Sequence, residues 1–170
     1  SSRITGSYLD YLSRYHPDCN IDEILDYAGI ARWEVEDPSH WLTQEQVDRF
    51  HEIVVRETGN PDISRDLGRY AARSESLGYA KQYVLGMMTP ASVYVLFGKL
   101  ASLFSRGAEI KTRKRGPELI EVIATPVPGV IEKPFQCRNR LGNLEAVPLP
   151  FSNRLAEVEH PECIHEGGDV

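Results

Sequence analysis

The sequence predicts an α+β fold in which an N-terminal helical bundle precedes a small antiparallel sheet with one intervening helix. Up to Gly107, apolar residues recur three or four positions apart, which is the spacing of a helix face. After Gly107 the pattern changes to the alternation typical of strands. Helices followed by strands, without regular alternation of the two, favour α+β over a doubly wound parallel sheet.

Capping residues locate the starts of several helices. Asn20 precedes an apolar stripe that ends at Gly29, the residue type that most often closes a helix. Thr43 and Gln46 have capping-box spacing, and Thr89-Pro90 joins a cap to a proline in the first turn. We predict helices over residues 7–15, 21–28, 43–58, 60–71, 77–88 and 89–106, with an irregular link over 32–41.

The last third of the chain predicts a hairpin, a helix and one more strand. Residues 109–115 and 118–125 are separated by Gly116-Pro117, which is a turn sequence. Residues 136–147 have the spacing of a helix, and a loose β pattern follows from residue 154. That predicted strand ends at a Gly-Gly turn and has no returning partner.

The chain is expected to be a single domain that belongs to a longer protein and ends before its last strand. Its 170 residues can bury a core without disulfides or metals. The predicted parts are an N-terminal helical region at 1–42, a helical core at 43–107 and a sheet-containing region at 108–170.

Composition excludes several classes of protein. The net charge of -6 argues against a general nucleic-acid partner, and the basic run 111–115 is interpreted as a solvent-facing strand. No apolar run has the roughly 18 residues needed to cross a bilayer, so no membrane partner is expected. Three cysteines without framework spacing suit a reducing cytoplasm better than a disulfide scaffold.

Catalysis is not expected. The sequence has no glycine-rich phosphate loop and no nucleophile elbow. Cys163 could be paired on paper with His160 or His165, but neighbours on one strand do not direct a base toward a thiol.

A metal site is an alternative that the C-terminal sequence leaves open. His160, Cys163 and His165 place three soft or borderline ligands within six residues, with a fourth from Cys137 or from outside the chain. On a strand, Cys163 and His165 would point to one side and His160 to the other, unless Pro161 bends the chain. The competing interpretation is an exposed polar strand with one buried cysteine, and no cofactor is required.

Haem is a weaker alternative, since no histidine lies between His51 and His160 to serve as an axial ligand within the packed body.

Aromatic residues in two adjacent predicted helices suggest a small-molecule pocket. Tyr79, Tyr83, Tyr94 and Phe97 supply apolar rings, the three tyrosines add hydroxyl tips, and methionines lie among them. Such a pocket would accept a small, largely apolar ligand. A plain hydrophobic core, or a face that contacts a second copy of the chain, explains the same stripe.

Two segments resemble a known family. Residues 135–148, with Cys137 and Gly142, and residues 156–169, with Cys163 and Gly167, resemble the end of a vinyl-4-reductase-like sensor domain. Residues 57–68 and 77–90 show a weaker similarity to the ligand-binding halves of arabinose-regulator-type transcription factors. The family's closing Cys-Arg-Tyr strand is absent from this chain, which leaves open whether Cys163 has a partner beyond Val170.

The resemblance implies a cytoplasmic bacterial sensor with a fold similar to haem-nitric-oxide-binding domains. Such a module would bind a ligand and control an output domain, such as a histidine kinase of a two-component system, in the same chain, and a homodimer is expected. The candidate lining residues become Tyr79, Tyr83, Tyr94, Phe97 and Cys137. The alternatives are a dimerisation or interaction module without a ligand, and a haem or metal-binding sensor.

Overall fold

The computed structural model describes residues 1–71 and 88–168 and confirms the α+β class. The N-terminal helices are Ser2–Tyr15 (α1), Ile21–Ala28 (α2), Arg32–Glu36 (α3), Gln44–Thr58 (α4) and Ile63–Ala71 (α5). Pro90–Leu100 (α6) and a short 3₁₀ turn precede the strands Ala108–Lys114 (β1) and Ile120–Pro126 (β2); Pro134–Ala146 (α7) and Leu149–Ser152 (α8) follow. The helix predicted over 77–88 lies almost wholly outside the described residues.

The predicted caps are present and explain where the helices begin. The Asn20 side chain accepts hydrogen bonds from the backbone of Asp22 and Glu23. The Gln46 backbone donates to the Thr43 hydroxyl at 3.2 Å, and the Thr43 backbone donates to the Gln46 side chain at 2.9 Å. These bonds satisfy amide groups that have no partner within their own helix.

The N-terminal helices enclose one hydrophobic core. The apolar faces of α1, α2, α4 and α5 converge there, which removes their side chains from water. Its buried members are Tyr8, Leu12, Ile24, Leu25, Ala28, Ile30, Phe50, Ile53, Val54, Ile63 and Leu67.

The sheet is the predicted hairpin. Strands β1 and β2 pair antiparallel, from Ala108 opposite Pro126 to Lys114 opposite Ile120. The turn closes with a 2.9 Å bond from the Arg115 backbone to the Leu119 carbonyl. Helix α6 crosses β1, and a Cβ on its Gly98 would lie 2.8 Å from the Thr112 side chain. That close approach is available to a residue without a side chain.

Helices α5 and α7 cross with their backbones in contact. A Cβ on Gly68 would overlap the Asn139 carbonyl, and a Cβ on Gly142 would overlap the Arg65 carbonyl. Each glycine therefore makes room for the opposite backbone. The crossing joins the N-terminal core to the helix that carries Cys137.

An ion cluster lies at the same crossing. Glu145 of α7, with a side chain only 7% exposed, accepts hydrogen bonds from Arg65 and Arg69 of α5. Burial opposes ionisation of this carboxyl, but the two guanidinium groups outweigh it and hold the pKa of Glu145 below its usual value. The carboxylate is therefore the charged form that the fold prefers.

The C-terminal strand prediction is wrong. None of the described residues from 154 to 168 lies in a strand; the segment is irregular and ends in a turn over 164–167. Pro161 has no backbone N–H to offer a sheet. No described strand lies alongside, and the Ala156 amide donates instead to the Glu145 carbonyl at 2.8 Å.

Several other boundaries differ from the prediction, and the helix predicted over 89–106 ends at Leu100, before a 3₁₀ turn. Helix α1 begins at Ser2 rather than at residue 7. The link over 32–41 contains helix α3, where the Glu34 carboxylate accepts a 2.7 Å bond from the Ala31 amide. A side chain other than the usual serine or threonine cap thus satisfies this helix start.

Replacing either crossing glycine should destabilise the fold. Gly68→Ala or Gly142→Ala inserts a methyl group into the opposite backbone, and we expect the free energy of unfolding to fall by about 1–3 kcal/mol or more. Urea denaturation followed by circular dichroism measures the change. Gly6→Ala is the control, because its Cβ would meet nothing closer than Val35 at 3.8 Å. Equal losses in all three variants would contradict the role of the crossing.

The Glu145 cluster should contribute a pH-dependent part of the stability. Because the folded-state pKa is lowered, the contribution is present above the unfolded pKa and is lost as pH falls through the folded pKa. Glu145→Gln should cost about 1.5–3 kcal/mol at neutral pH, and its deficit should shrink toward about pH 3.

Glu121→Gln is the matched control for that measurement, since Glu121 pairs with Arg113 and Arg115 while 35% exposed. We expect a cost of at most about 1 kcal/mol there. A Glu145→Gln deficit that does not change with pH would contradict the assignment.

Candidate metal centre

Helix α7 supplies the first ligand of the candidate site. The Lys133 amide donates to the Gln136 side chain at the helix start, Pro134 occupies the first turn, and Cys137 lies one turn further, 9% exposed. Contacts with α4 and α5 hold the helix in place. Asn139 donates to the Ser64 carbonyl at 3.0 Å, and Phe135 stacks on His51 with ring centroids 4.1 Å apart. Cys137 therefore sits on a well-supported element.

The irregular C-terminal segment supplies the other ligands. After Ala156 the chain runs back along α7, and the Cys163 carbonyl accepts bonds from the amides of Glu166 at 2.9 Å and Gly168 at 2.8 Å. This turn fixes the backbone at Cys163, whose side chain is 8% exposed. His160 is exposed and lies on the solvent side.

Cys137, His160 and Cys163 converge in space. Their sulfur and nitrogen atoms all lie within 4.8 Å of one another, and the Cys137 Sγ is 3.6 Å from the His160 Nε2. The expectation that His160 points away from Cys163 was wrong, because the segment bends instead of running as a strand. Cys137, which the sequence suggested as a possible fourth ligand, lies in the cluster with His160 and Cys163.

The donor set suits a thiophilic divalent cation. Two thiolates and one imidazole at about 2.0–2.3 Å from a metal form three corners of the tetrahedron that Zn²⁺ prefers. In the part of the chain that the structure describes, these three residues form the cluster of possible ligands. A water molecule or one more side chain would complete the fourth corner.

Charged neighbours shape the site. Arg140, one turn after Cys137, donates to both carboxylate oxygens of buried Glu132, at 3.2 and 2.9 Å. Burial raises the pKa of Cys137 to about 11, with further increases from Cys163 and Glu132 that Arg140 partly offsets. The thiol is thus protonated near neutral pH until a cation displaces the proton.

His165 does not join the cluster. Its Nε2 is buried and has no hydrogen-bond partner among the described residues. The prediction that Cys163 and His165 share a side rested on the strand and does not hold in the observed turn.

The predicted pocket residues are only partly described. Tyr79 and Tyr83 lie outside the described residues. Tyr94 of α6 donates its hydroxyl to the Leu144 carbonyl at 2.7 Å, and burial raises the pKa of Tyr94 to about 12. Phe97 is half-buried, and Cys137 faces the metal-ligand cluster. A shared ligand pocket lined by these residues stays a prediction.

Two open grooves lie between α6 and β1. Their volumes are about 410 and about 400 Å³, and Gly98, Ile110 and Lys111 line both. Tyr94, Phe97 and Cys137 are not among their lining residues.

One buried polar pair in the structure is not indicated by the sequence. The His51 Nε2 and the Ser64 hydroxyl are 2.7 Å apart, and Ser64 is fully buried. Burial, with a smaller effect of Arg138, lowers the pKa of His51 to about 4, so the imidazole is neutral. Since Ser64 has no access to solvent, the pair ties α4 to α5 rather than forming a nucleophile. No local sequence motif indicates the His51–Ser64 pair.

Comparisons with family models, curated proteins and solved structures give no match to this chain. The vinyl-4-reductase-like resemblance and the single-domain boundaries therefore stay predictions. Among the described residues, no helix combines the length and apolar character needed to cross a membrane.

Zn²⁺ affinity should increase with pH. With the pKa of Cys137 near 11, binding must displace its proton throughout the neutral range, so apparent affinity should increase at least about tenfold per pH unit. Competition with a chromophoric chelator between about pH 6 and about pH 8 measures this. His160→Ala, which keeps both thiols, should bind Zn²⁺ more weakly but with a similar increase per pH unit. An affinity that is already independent of pH in the native chain would contradict ligation by Cys137.

Proposed function

We propose that the chain is a regulatory sensor module whose C-terminal segment is fastened to α7 by a divalent metal of Zn²⁺ type. The observation that carries this is the convergence of Cys137, His160 and Cys163 within 4.8 Å. These residues come from a helix and an irregular segment 23 residues further along the chain. Local sequence proximity alone does not bring Cys137 to the other two.

Few backbone hydrogen bonds hold the C-terminal segment against the rest of the fold. Residues 154–163 contain no helix or strand. Among the described residues, one backbone hydrogen bond joins the segment to the rest of the fold, from the Ala156 amide to the Glu145 carbonyl. A metal that bridges α7 and the segment would replace missing sheet hydrogen bonds with coordination bonds. Binding free energy of this kind becomes folding free energy of the ordered segment.

Sulfur ligation favours Zn²⁺ over the hard cations. Ca²⁺ and Mg²⁺ prefer oxygen ligands, and two cysteines with one histidine offer none. Both sulfurs are nearly buried while His160 is exposed, so exchange with solvent would occur on the histidine side.

The sensing part of the proposal follows the family resemblance. A small, largely apolar ligand would enter between helices and sheet, near the α6–β1 grooves, and shift the helix packing. Since a ligand acts only through different affinities for two conformations, the signal would be a change in how α6 and α7 pack. An output domain in the same chain, in a cytoplasmic bacterial protein, would receive that change. The module itself would not be an enzyme.

A dimerisation or interaction module is the second candidate, and one observation favours it. Helix α6 is strongly apolar, yet none of its residues is buried. Leu96, Leu100, Leu103 and Phe104 are 37–56% exposed. Native mass spectrometry distinguishes the candidates: a co-purifying small molecule supports the sensor, and an empty dimer supports the interaction module.

Cysteine substitution tests the metal centre. The native chain should bind one Zn²⁺ per molecule and gain about 2.7 kcal/mol of stability at a hundredfold excess over Kd. Cys137→Ser and Cys163→Ser should abolish both effects, and His160→Ala should weaken the affinity by at least tenfold. Metal analysis after dialysis and thermal unfolding with and without Zn²⁺ are the measurements.

Cys19→Ser is the matched control, because Cys19 lies on the turn between α1 and α2 and outside the cluster. Its Zn²⁺ content should equal that of the native chain. Retention of Zn²⁺ by Cys137→Ser and Cys163→Ser alike would overturn the proposed centre.

A further inference from the structure

We propose that Cys137 and Cys163 are also a reversible oxidation site, at which a peroxide forms a disulfide in competition with metal binding. The proposal rests on the metal centre proposed above and adds a reaction at the same two sulfurs. The cluster geometry places both Sγ atoms within 4.8 Å of one another.

Movement of Cys163 alone can bring its Sγ to bonding distance of the Cys137 Sγ. A disulfide needs an S–S length of about 2.05 Å. Cys137 is held in α7, whose crossing with α5 leaves no room for movement at Gly142. Cys163 lies in the irregular segment, and the bonds to its carbonyl come from Glu166 and Gly168 of the same turn. This turn can move toward α7 as a unit without breaking them.

The surroundings admit a small oxidant and shield the product. Each cysteine is less than one-tenth exposed, which excludes large thiol reagents. Exposed His160 borders the cluster on the solvent side and leaves an approach for a molecule as small as hydrogen peroxide. The third cysteine, Cys19, is half-buried and is not part of the cluster.

The reaction balances with peroxide as the oxidant. The Cys163 sulfur attacks one peroxide oxygen, the O–O bond breaks, and the products are a sulfenic acid on Cys163 and one water. The Cys137 sulfur then attacks the Cys163 sulfur, the S–O bond breaks, and the hydroxyl leaves with the Cys137 proton as a second water. Two sulfurs are oxidised by one electron each, and peroxide gains both electrons.

Oxidation removes both sulfur ligands at once. His160 alone cannot hold a divalent cation, so the metal is released while the segment remains attached to α7 through a covalent bond. A thiol reductant returns the two thiols and allows the metal to bind again. The site thereby exchanges one cross-link for another according to the oxidant present.

Titration of the Zn²⁺-loaded chain with hydrogen peroxide tests the proposal. A chromophoric chelator follows released Zn²⁺, and mass spectrometry of unreduced peptides identifies the cross-link. We expect one Zn²⁺ released per chain, a loss of two hydrogen atoms in mass, and a peptide pair containing Cys137 and Cys163. Dithiothreitol should reverse all three. Cys19→Ser should behave like the native chain.

His160→Ala separates the two proposals, because it weakens the metal centre while both thiols remain. The disulfide should form in this variant, and at lower peroxide concentration. Zn²⁺ binding without any Cys137–Cys163 cross-link at full oxidation would overturn the oxidation site and leave the metal centre intact. A cross-link in a chain that never binds Zn²⁺ would overturn the metal centre and leave the thiol pair.

Discussion

The contact of α5 with α7 through Gly68 and Gly142 is the constraint on which the rest of the structure depends. Both positions exclude any side chain, since a Cβ would overlap the facing backbone. Close backbone approach brings Arg65 and Arg69 onto Glu145, and the buried carboxylate is then stabilised by two cations instead of by water. The glycine contact and the ion cluster together fix α7 against α5 and the N-terminal core.

The candidate metal centre depends on that crossing. Because α7 is fixed, Cys137 has a defined position, and the Glu145 carbonyl can anchor the C-terminal segment through Ala156. His51 of α4 stacks on Phe135 at the start of the same helix. The cluster of two thiols and an imidazole is consequently rigid on the α7 side and adjustable on the segment side. That asymmetry suits a site where a metal orders a loosely held segment, and it also permits disulfide closure.

The candidate metal centre and the apolar helix α6 are two places where the state of the protein could change. Tyr94 connects them, because its hydroxyl donates to the Leu144 carbonyl of α7. A ligand or a partner chain that moved α6 would therefore pull on the helix that carries Cys137. Conversely, metal binding would restrict α7 and, through Tyr94, the position of α6. Coupling of this kind is reciprocal by thermodynamic necessity.

Local chemistry explains what the sequence determined by itself. Caps at Asn20, Thr43 and Thr89 and the turn at Gly116 act over three or four residues, so the α+β class and the helix starts at these caps were predictable. The three residues of the candidate metal centre were all named from sequence, together with His165, but their arrangement was not. A strand was predicted where the chain is irregular, because alternation is a local pattern whereas a strand requires a neighbour to pair with. Only the tertiary structure decided that His160 and Cys163 face Cys137, since their convergence follows from the fixed position of α7 and not from spacing along the chain.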